Sequence, residues 1–420
     1  MVNPVEQAPS NNYDRQDTIG INTLTVNGVD VRMIIVSFDI FEDIFAHFTT
    51  IELVLLDPIS LTDDPGIFSG ETLEVDFEST SSGGFPSYAK TFKIYKISNM
   101  AADGSQGKNR IYAIHGVTEG AFTDANKRLS RTYKDMPESS IVADICSNVL
   151  NINPVDIEAS KFDRRITIPN WRPIKVIQEL SRTAVRAGKY PAANYVFYED
   201  KDKFNFCSLD KKLEQGPAFT ITHQISAQVD NTEYARLNAK SFQNNNNFDY
   251  FRNVDNGMYG TRSFLVDLSN KEYMQEDYVY SSEFGKQVHI DGSNAMLMEG
   301  PPSFPEQRIL LNPNEKFPEK DFASFFAEKY KHKRKGMMQQ FNNYEFLVDV
   351  DGDTNVKLGD VVEFELPAFD SRNDVNGAWQ EREDEKLSKN YLVAQIKHEC
   401  NNNEHRMLLG LIKPHLLNSG

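Results

Sequence analysis

The sequence predicts a mainly β protein of the α+β kind, with two β-barrel domains, a helical insertion and a mixed middle region. Three observations carry this. Short segments that alternate apolar and polar residues recur at both ends of the chain. Two windows between them switch to a helical period. A glycine followed by an acid stands just before a strand in each β-rich part, at Gly70-Glu71 and at Gly359-Asp360. One such turn is common, but two at like points suggest a duplicated unit.

Taken in order, IGINTLTVNGVDVRMIIVSFD (Ile19 to Asp39) reads as two strands joined at Asn27-Gly28, a dipeptide whose residues both accept positive φ. IELVLL, ETLEVDF, KTFKIYKI and RIYAIHGV follow as strands, separated by turn-rich stretches such as STSSGG and ADGSQGKN. After Pro137 the period lengthens: Ile141, Val142, Ile145, Val149 and Leu150 share one helical face. A second helix opens at Pro173, turns Ile174, Ile177, Leu180 and Ala184 inward, and ends near Gly188. YVFYEDKDKFNFCSL returns to strand, turn and strand. A third helix is expected over Lys320 to Lys335, with Phe322, Phe325, Phe326 and Tyr330 as an aromatic stripe, basic last turns and Gly336 as its cap. The last part returns to strands at YEFLVDV, DVVEFELP, YLVAQIKHEC and HRMLLGLIKP, with a long polar loop from Phe369 to Asn390. The boundaries that follow are 1–130 for a first barrel completed by about 191–230, 131–190 for the helical insertion, 231–340 for the middle region, and 341–420 for a second barrel.

Composition narrows the function. At 420 residues the chain is too long for one ordinary core. A net charge of −16 argues against wrapping nucleic acid, which needs Lys and Arg against phosphates. No apolar run approaches the ~20 residues that span a bilayer, and the opening MVNPVEQAPSNNYDRQD lacks the features of a signal peptide. A cytoplasm-like compartment is therefore expected. Cys146, Cys207 and Cys400 are scattered and read as buried reduced thiols.

The sharpest chemical lookalike is DVDGDTNVKLGD. Asp349, Asp351, Asp353, Asn355 and Asp360 fall at positions 1, 3, 5, 7 and 12 of a calcium loop. Thr354 stands where Gly normally makes the sharp turn, Asp360 replaces the bidentate Glu, and the flanks read as strands. A polar hairpin loop is the stronger reading, and no metal or cofactor is assigned. His398 and His405 bracket HECNNNEH, but the spacing is not HExxH and a strand–turn–strand reading separates their side chains. Lys108 follows Gly107, yet the upstream Gly and the following Ser or Thr of a phosphate loop are missing. No GxSxG elbow and no nucleotide-binding GxGxxG occur, so no catalytic residue is assigned.

Several segments, in order, resemble the baseplate hub proteins of contractile-tailed bacteriophages. They are SFDIFEDIFAHFTTIELVLLDPISL, YAIHGVTEGAFTDANKRLSRTYKDMPESSIVADI, ITIPNWRPIKVIQELSRTA, YVFYEDKDKFNFCSL, GMYGTRSFLVDL, VKLGDVVEFELP and NYLVAQIKHECNNNEHRMLLGLIKP. The resemblance implies two tube-protein-like barrels per subunit and a structural, non-enzymatic homotrimer that joins the tail tube to the central spike around a channel. It implies as partners the spike protein, tail tube or tube-initiator proteins and baseplate wedge proteins. DNA would pass without specific binding and no membrane would be involved. Assembly in the host cytoplasm and a final place in the virion tail follow. The hub of a related secretion system or tailocin, or a calcium-dependent β-rich binding protein, are the alternatives.

Overall fold

A computed structural model describes residues 19–58, 70–79, 87–103, 109–188, 191–223, 236–267, 271–301, 306–311, 323–366, 384–401 and 403–417. The first β-rich part supplies β1 (Ile19–Val26), β2 (Val29–Asp30), β3 (Ile35–Asp43), β4 (Thr50–Asp57), β5 (Thr72–Ser79), β6 (Tyr88–Asp103) and β7 (Asn109–Thr118). The alternation works as expected. Ile51, Leu53 and Leu55 of β4 point inward and meet Phe38, Ile40, Leu73, Val75, Phe77, Tyr88 and Phe92 in one core. Asn27 (φ 50°) and Gly28 (φ 78°) form the tight turn that pairs Val26 with Val29.

Next come α1 (Glu119–Asn126), β8 (Leu129–Pro137), α2 (Glu138–Asp144), β9 (Val155–Ile157), β10 (Asp163–Trp171), α3 (Pro173–Thr183), β11 (Tyr195–Glu199), β12 (Phe204–Ser208) and α4 (Leu209–Leu213). The two expected helices are present, the first continuing as a π-helical turn over Ile145–Leu150. They do not form an all-helical insertion. β8 and β10 make an antiparallel pair, while β11, β12 and β9 form a second small sheet. Ile141, Val142, Ile145, Ile177 and Leu180 pack with Tyr195, Phe197 and Phe206 in their own core. Strands 195–199 and 204–208, expected to complete the first barrel, belong to this module.

The second barrel begins with β13 (Phe219–Thr222) and β14 (Arg236–Asn246). Between them and its later strands lie α5 (Tyr250–Asp255), β15 (Gly260–Asp267), β16 (Glu272–Val279), α6 (Tyr280–Phe284), β17 (Glu306–Leu311) and α7 (Ala323–Gln340). The barrel resumes with β18 (Tyr344–Asp351), β19 (Val361–Glu365), β20 (Lys389–Asn401) and β21 (His405–Lys413). The order β19-β13-β14-β18-β21-β20, with β20 back on β19, closes six strands around Phe346, Val348, Phe364, Tyr391, Leu409 and Leu411. β14 is thus part of the barrel rather than of the middle region, which is an insertion between the barrel's second and third strands. α7 runs through Gly336 to Gln340, so Gly336 does not cap it. An added Cβ there would lie 2.5 Å from the Tyr278 ring, and the glycine lets helix and sheet approach. Phe322 and the side chains of Phe325 and Phe326 lie outside the described residues; Tyr330 packs on Phe162 at 5.8 Å.

The two barrels repeat one five-strand unit. β3-β4-β7-β6-β5 and β14-β18-β21-β20-β19 have the same chain order and the same antiparallel pairings. Both contain an extra residue at like points: Val36 in β3 answers Lys240 in β14, and Tyr95 in β6 answers Ala394 in β20. The Gly-acid signal has a matching bond pattern. Gly70 N–H donates to Ile94 O (2.6 Å) and Ile94 N–H to Glu71 O (2.9 Å). Gly359 N–H donates to Val393 O (2.9 Å) and Val393 N–H to Asp360 O (2.9 Å). Both glycines sit at positive φ, 96° and 81°, where a side chain would be strained. The units differ in their flanking strands: β13 is parallel to β19 and β14 and bridges them, whereas β1 is antiparallel to β5 and, among the described residues, pairs otherwise only with β2.

Close packing at Gly116 of β7 gives a first test. A Cβ there would stand 2.8 Å from Ile51 Cγ2 and 3.1 Å from Phe92 Cβ. Gly116→Ala is expected to lower stability in urea by about 1–3 kcal/mol. Gly216→Ala, with nothing within 4 Å, serves as the neutral control.

Candidate functional site at the junction of the two barrels

The place where most of the chain's parts meet is the crossing of β20 from one barrel to the other. Its first half pairs with β19 (Val361 opposite Leu392), and after the extra residue Ala394 its second half pairs with β3, from Gln395 opposite Asp43 to Asn401 opposite Ser37. One inward face of β20 therefore serves two cores: Ile396 lies in the second and Cys400 in the first. His398 falls between them.

That boundary is polar and sealed. His398 Nδ1 lies 3.0 Å from His405 Nε2, and His405 Nδ1 lies 2.8 Å from Ser79 Oγ. Tyr88 Oη donates to Glu42 Oε1 at 2.6 Å, and the Tyr88 ring stands 5.1 Å from that of His398. The module closes the third side. Lys90 Nζ donates to Glu199 Oε1 (2.9 Å), Thr49 Oγ1 (2.9 Å) and Asp200 O (2.7 Å), while Thr118 Oγ1 and Thr49 N–H donate to Glu199 Oε2. Glu199, Thr49 and Thr118 are all buried, so the ion pair with Lys90 is held by a full set of hydrogen bonds.

Burial pushes the Glu42 carboxyl up to about 7 against the pull of Lys90 and the Tyr88 hydrogen bond. Burial holds His398 well below its ordinary value, helped by His405, Lys201 and Lys90. The junction thus favours a neutral His398 and keeps Glu42 protonated up to about pH 7. Ser79, His405 and His398 form a Ser–His–His row, but their exposures of 4%, 1% and 1% leave no approach for a substrate. The row joins β5, β21 and β20 and acts as a clamp.

The two histidines correct the sequence reading. Cys400 stands opposite His405 and His398 opposite Met407, so the histidines are diagonal neighbours on one face, not separated side chains. Glu399 points the other way, to Lys397. Among the described residues no group of three or more His, Cys, Asp or Glu is placed to hold a metal ion.

The residues of the calcium-loop pattern do not converge. Asp349 and Asp351 lie on β18, with Asp349 paired to Arg406 and Asp351 to Lys240. Asp353 Oδ1 accepts from Asn355 N–H (2.8 Å), and Asp360 Oδ2 accepts from Lys357 N–H (3.0 Å). Gly352 is pressed against His405, where an added Cβ would meet the ring at 2.2 Å. The basic run ending α7 is likewise engaged. Lys333 pairs with Glu283 at 2.7 Å, and Arg334 donates to Ala193 O and Tyr195 O. Gly107, Lys108 and 367–383 of the polar loop lie outside the described residues.

No family model matches the sequence. The chain is 24% identical over 354 residues to the "Probable baseplate hub protein gp334" of Vibrio phage KVP40, covering 77% of this chain and 79% of that protein. It is similar to a phage baseplate hub protein. Its fold is also that of two solved tail proteins. The 43 kDa tail protein of prophage MuSo2 from Shewanella oneidensis superposes with a TM-score of 0.57 at 11% identity, over 94% of this chain and 98% of that one. The tail protein from Neisseria meningitidis MC58 gives 0.57 at 11%, over 94% and 97%. The resemblance to a baseplate hub protein read in the sequence holds over 77% of the chain, and the tail-protein fold over 94%.

Two outcomes test the junction. The unfolded Glu42 carboxyl releases its proton near 4.5 while the folded one holds it to about 7. Glu42 therefore makes stability fall as pH rises from about 4.5 to 7, by about 3 kcal/mol in all. Glu42→Gln removes that slope: in urea unfolding its advantage over the wild type should grow between pH 5 and pH 8. For the loop, millimolar calcium should leave Tm unchanged relative to EDTA. A calcium-dependent rise that Asp351→Ala abolishes would restore the calcium reading.

Proposed function

We propose that the chain is the structural baseplate hub subunit of a contractile phage tail. In this reading three copies form a ring between the tail tube and the central spike, leaving a channel. The observation that carries it is the duplicated barrel. Two copies of one five-strand unit, joined edge to edge through β20 and β3, give each subunit two like lobes. Three subunits then present six lobes, which suits a threefold spike on one side and a sixfold tube on the other.

The role is mechanical rather than catalytic. The buried polar groups at the junction tie three parts of the chain together. The net charge of −16 suits a channel through which DNA passes without adhering. Partners are the spike, the tube or its initiator, and baseplate wedge proteins, and the final location is the virion tail.

Electron microscopy of the purified chain, with light-scattering mass on the same sample, checks this. A hollow threefold ring at about three times the chain mass is the expected result. A chain that stays monomeric even with its spike partner contradicts it.

A further inference from the structure

The repeat between the barrels extends to their edges. Within the chain, the second half of β20 pairs with β3. The element equivalent to β20 is β6, and the element equivalent to β3 is β14. β6 pairs with β5 only as far as Lys93 but continues to Asp103 along β7. β14 pairs with β13 only as far as Asn238 but continues to Asn246 along β18. Among the described residues no further strand pairs with either edge. Each barrel unit thus has the same two edges, and one of each kind is already joined inside the chain.

We propose that the edge of β6 beyond Tyr95 pairs antiparallel with the edge of β14 in a second copy of this chain, repeating the β20–β3 junction between subunits. The inference rests on the ring-forming reading above and names the surface that closes the ring.

The register follows from the shared bulges. Ile94 answers Val393 and Lys96 answers Gln395, while Val36 answers Lys240. The internal pairs Gln395–Asp43 and Lys397–Phe41 then become Lys96–Asn247 and Ser98–Asn245 between copies. The asparagine run Asn244 to Asn247, at the end of β14, is the receiving edge. Gln395 Nε2 donates to Asp43 Oδ2 at 3.0 Å inside the chain, and Lys96 can donate likewise to the Asn247 side chain.

Exposure agrees. Inside the chain, Ile44 follows the paired strand, donates its N–H to Ala394 O at 2.9 Å and is wholly buried. Its equivalent is Phe248, and the equivalent of Ala394 is Tyr95. These aromatics are 40% and 47% exposed, as expected of residues that a neighbour covers. Each unit offers its β6- or β20-type edge to the β3- or β14-type edge of the next. The contact is head-to-tail, and such contacts close into rings when the rotation allows. Polar edge residues such as Lys96, Gln243 and Asn244 oppose pairing with other sheets until the right partner is met.

Disulfide trapping in the assembled ring, formed by the chain alone or with its spike partner, tests the register. Ser98→Cys with Asn245→Cys, and Lys96→Cys with Asn247→Cys, place thiols on directly opposed residues, about 4.5–5.5 Å apart between Cβ atoms. Ser98→Cys with Gln243→Cys is two residues out of register. The three native cysteines are buried and reduced. Covalent trimers on a non-reducing gel from at least one in-register pair, and at least about tenfold fewer from the control, are the expected result. A threefold ring by microscopy with no in-register trapping, or with equal trapping in the control, overturns this interface and leaves the hub reading standing. Neither ring nor trapping, even with the spike partner present, overturns the hub reading itself.

Discussion

The fold depends on one strand taking two partners. β20 leaves β19 at the extra residue Ala394 and continues along β3, so one run of backbone hydrogen bonds joins the barrels into a single thirteen-stranded sheet. A backbone ladder fixes both spacing and register, which side-chain packing alone does less strictly. The bulge supplies the bend and twist that let the strand leave one barrel wall and enter the next. Two lobes joined in this way are held in one fixed register.

The same crossing explains the unusual polarity of the interior. Where β20 passes between cores, neither core supplies a continuous apolar surface, and the gap is filled by His398, His405, Ser79, Tyr88 and Glu42. Each has a hydrogen-bond partner in another strand, which specifies the arrangement better than a greasy contact could, at some expense in stability. The module adds Glu199, gripped by Lys90, Thr49 and Thr118, so it is locked to the first barrel rather than hinged on it.

Much of this was legible in the sequence where periodicity spoke clearly. The strands of both barrels, the Asn27-Gly28 turn and the helices after Pro137 and Pro173 follow from spacing and turn chemistry. The doubled Gly-acid signal marked a true repeat because both glycines must hold positive φ at the same hydrogen-bonded step. β8 and β10 were hidden because they are mostly solvent-facing: in LSRTYKDMP only Leu129 and Tyr133 are buried, too few for an alternating pattern. Helix α7 runs past the end that its sequence suggests because Gly336, which has the look of a cap, is there for the Tyr278 ring against it. The histidine pair and the strand exchange at β20 depend on cross-strand register, which no local window contains. The calcium pattern shows the reverse: correct spacing along the chain is broken up when β18 spends two of its acids on Arg406 and Lys240.

Amide hydrogen exchange, measured on the chain before and after ring assembly, tests the shared-strand account most directly. Residues 395–401 and 37–43 should be protected as strongly as the barrel cores in both states, because their ladder lies within the chain. The outward-facing amides of residues 96–98 and 243–246, which do not bond to β7 or β18, should exchange quickly in the free subunit and become protected in the ring. Rapid exchange over 395–401, or edges that stay unprotected in an assembled ring, would contradict it.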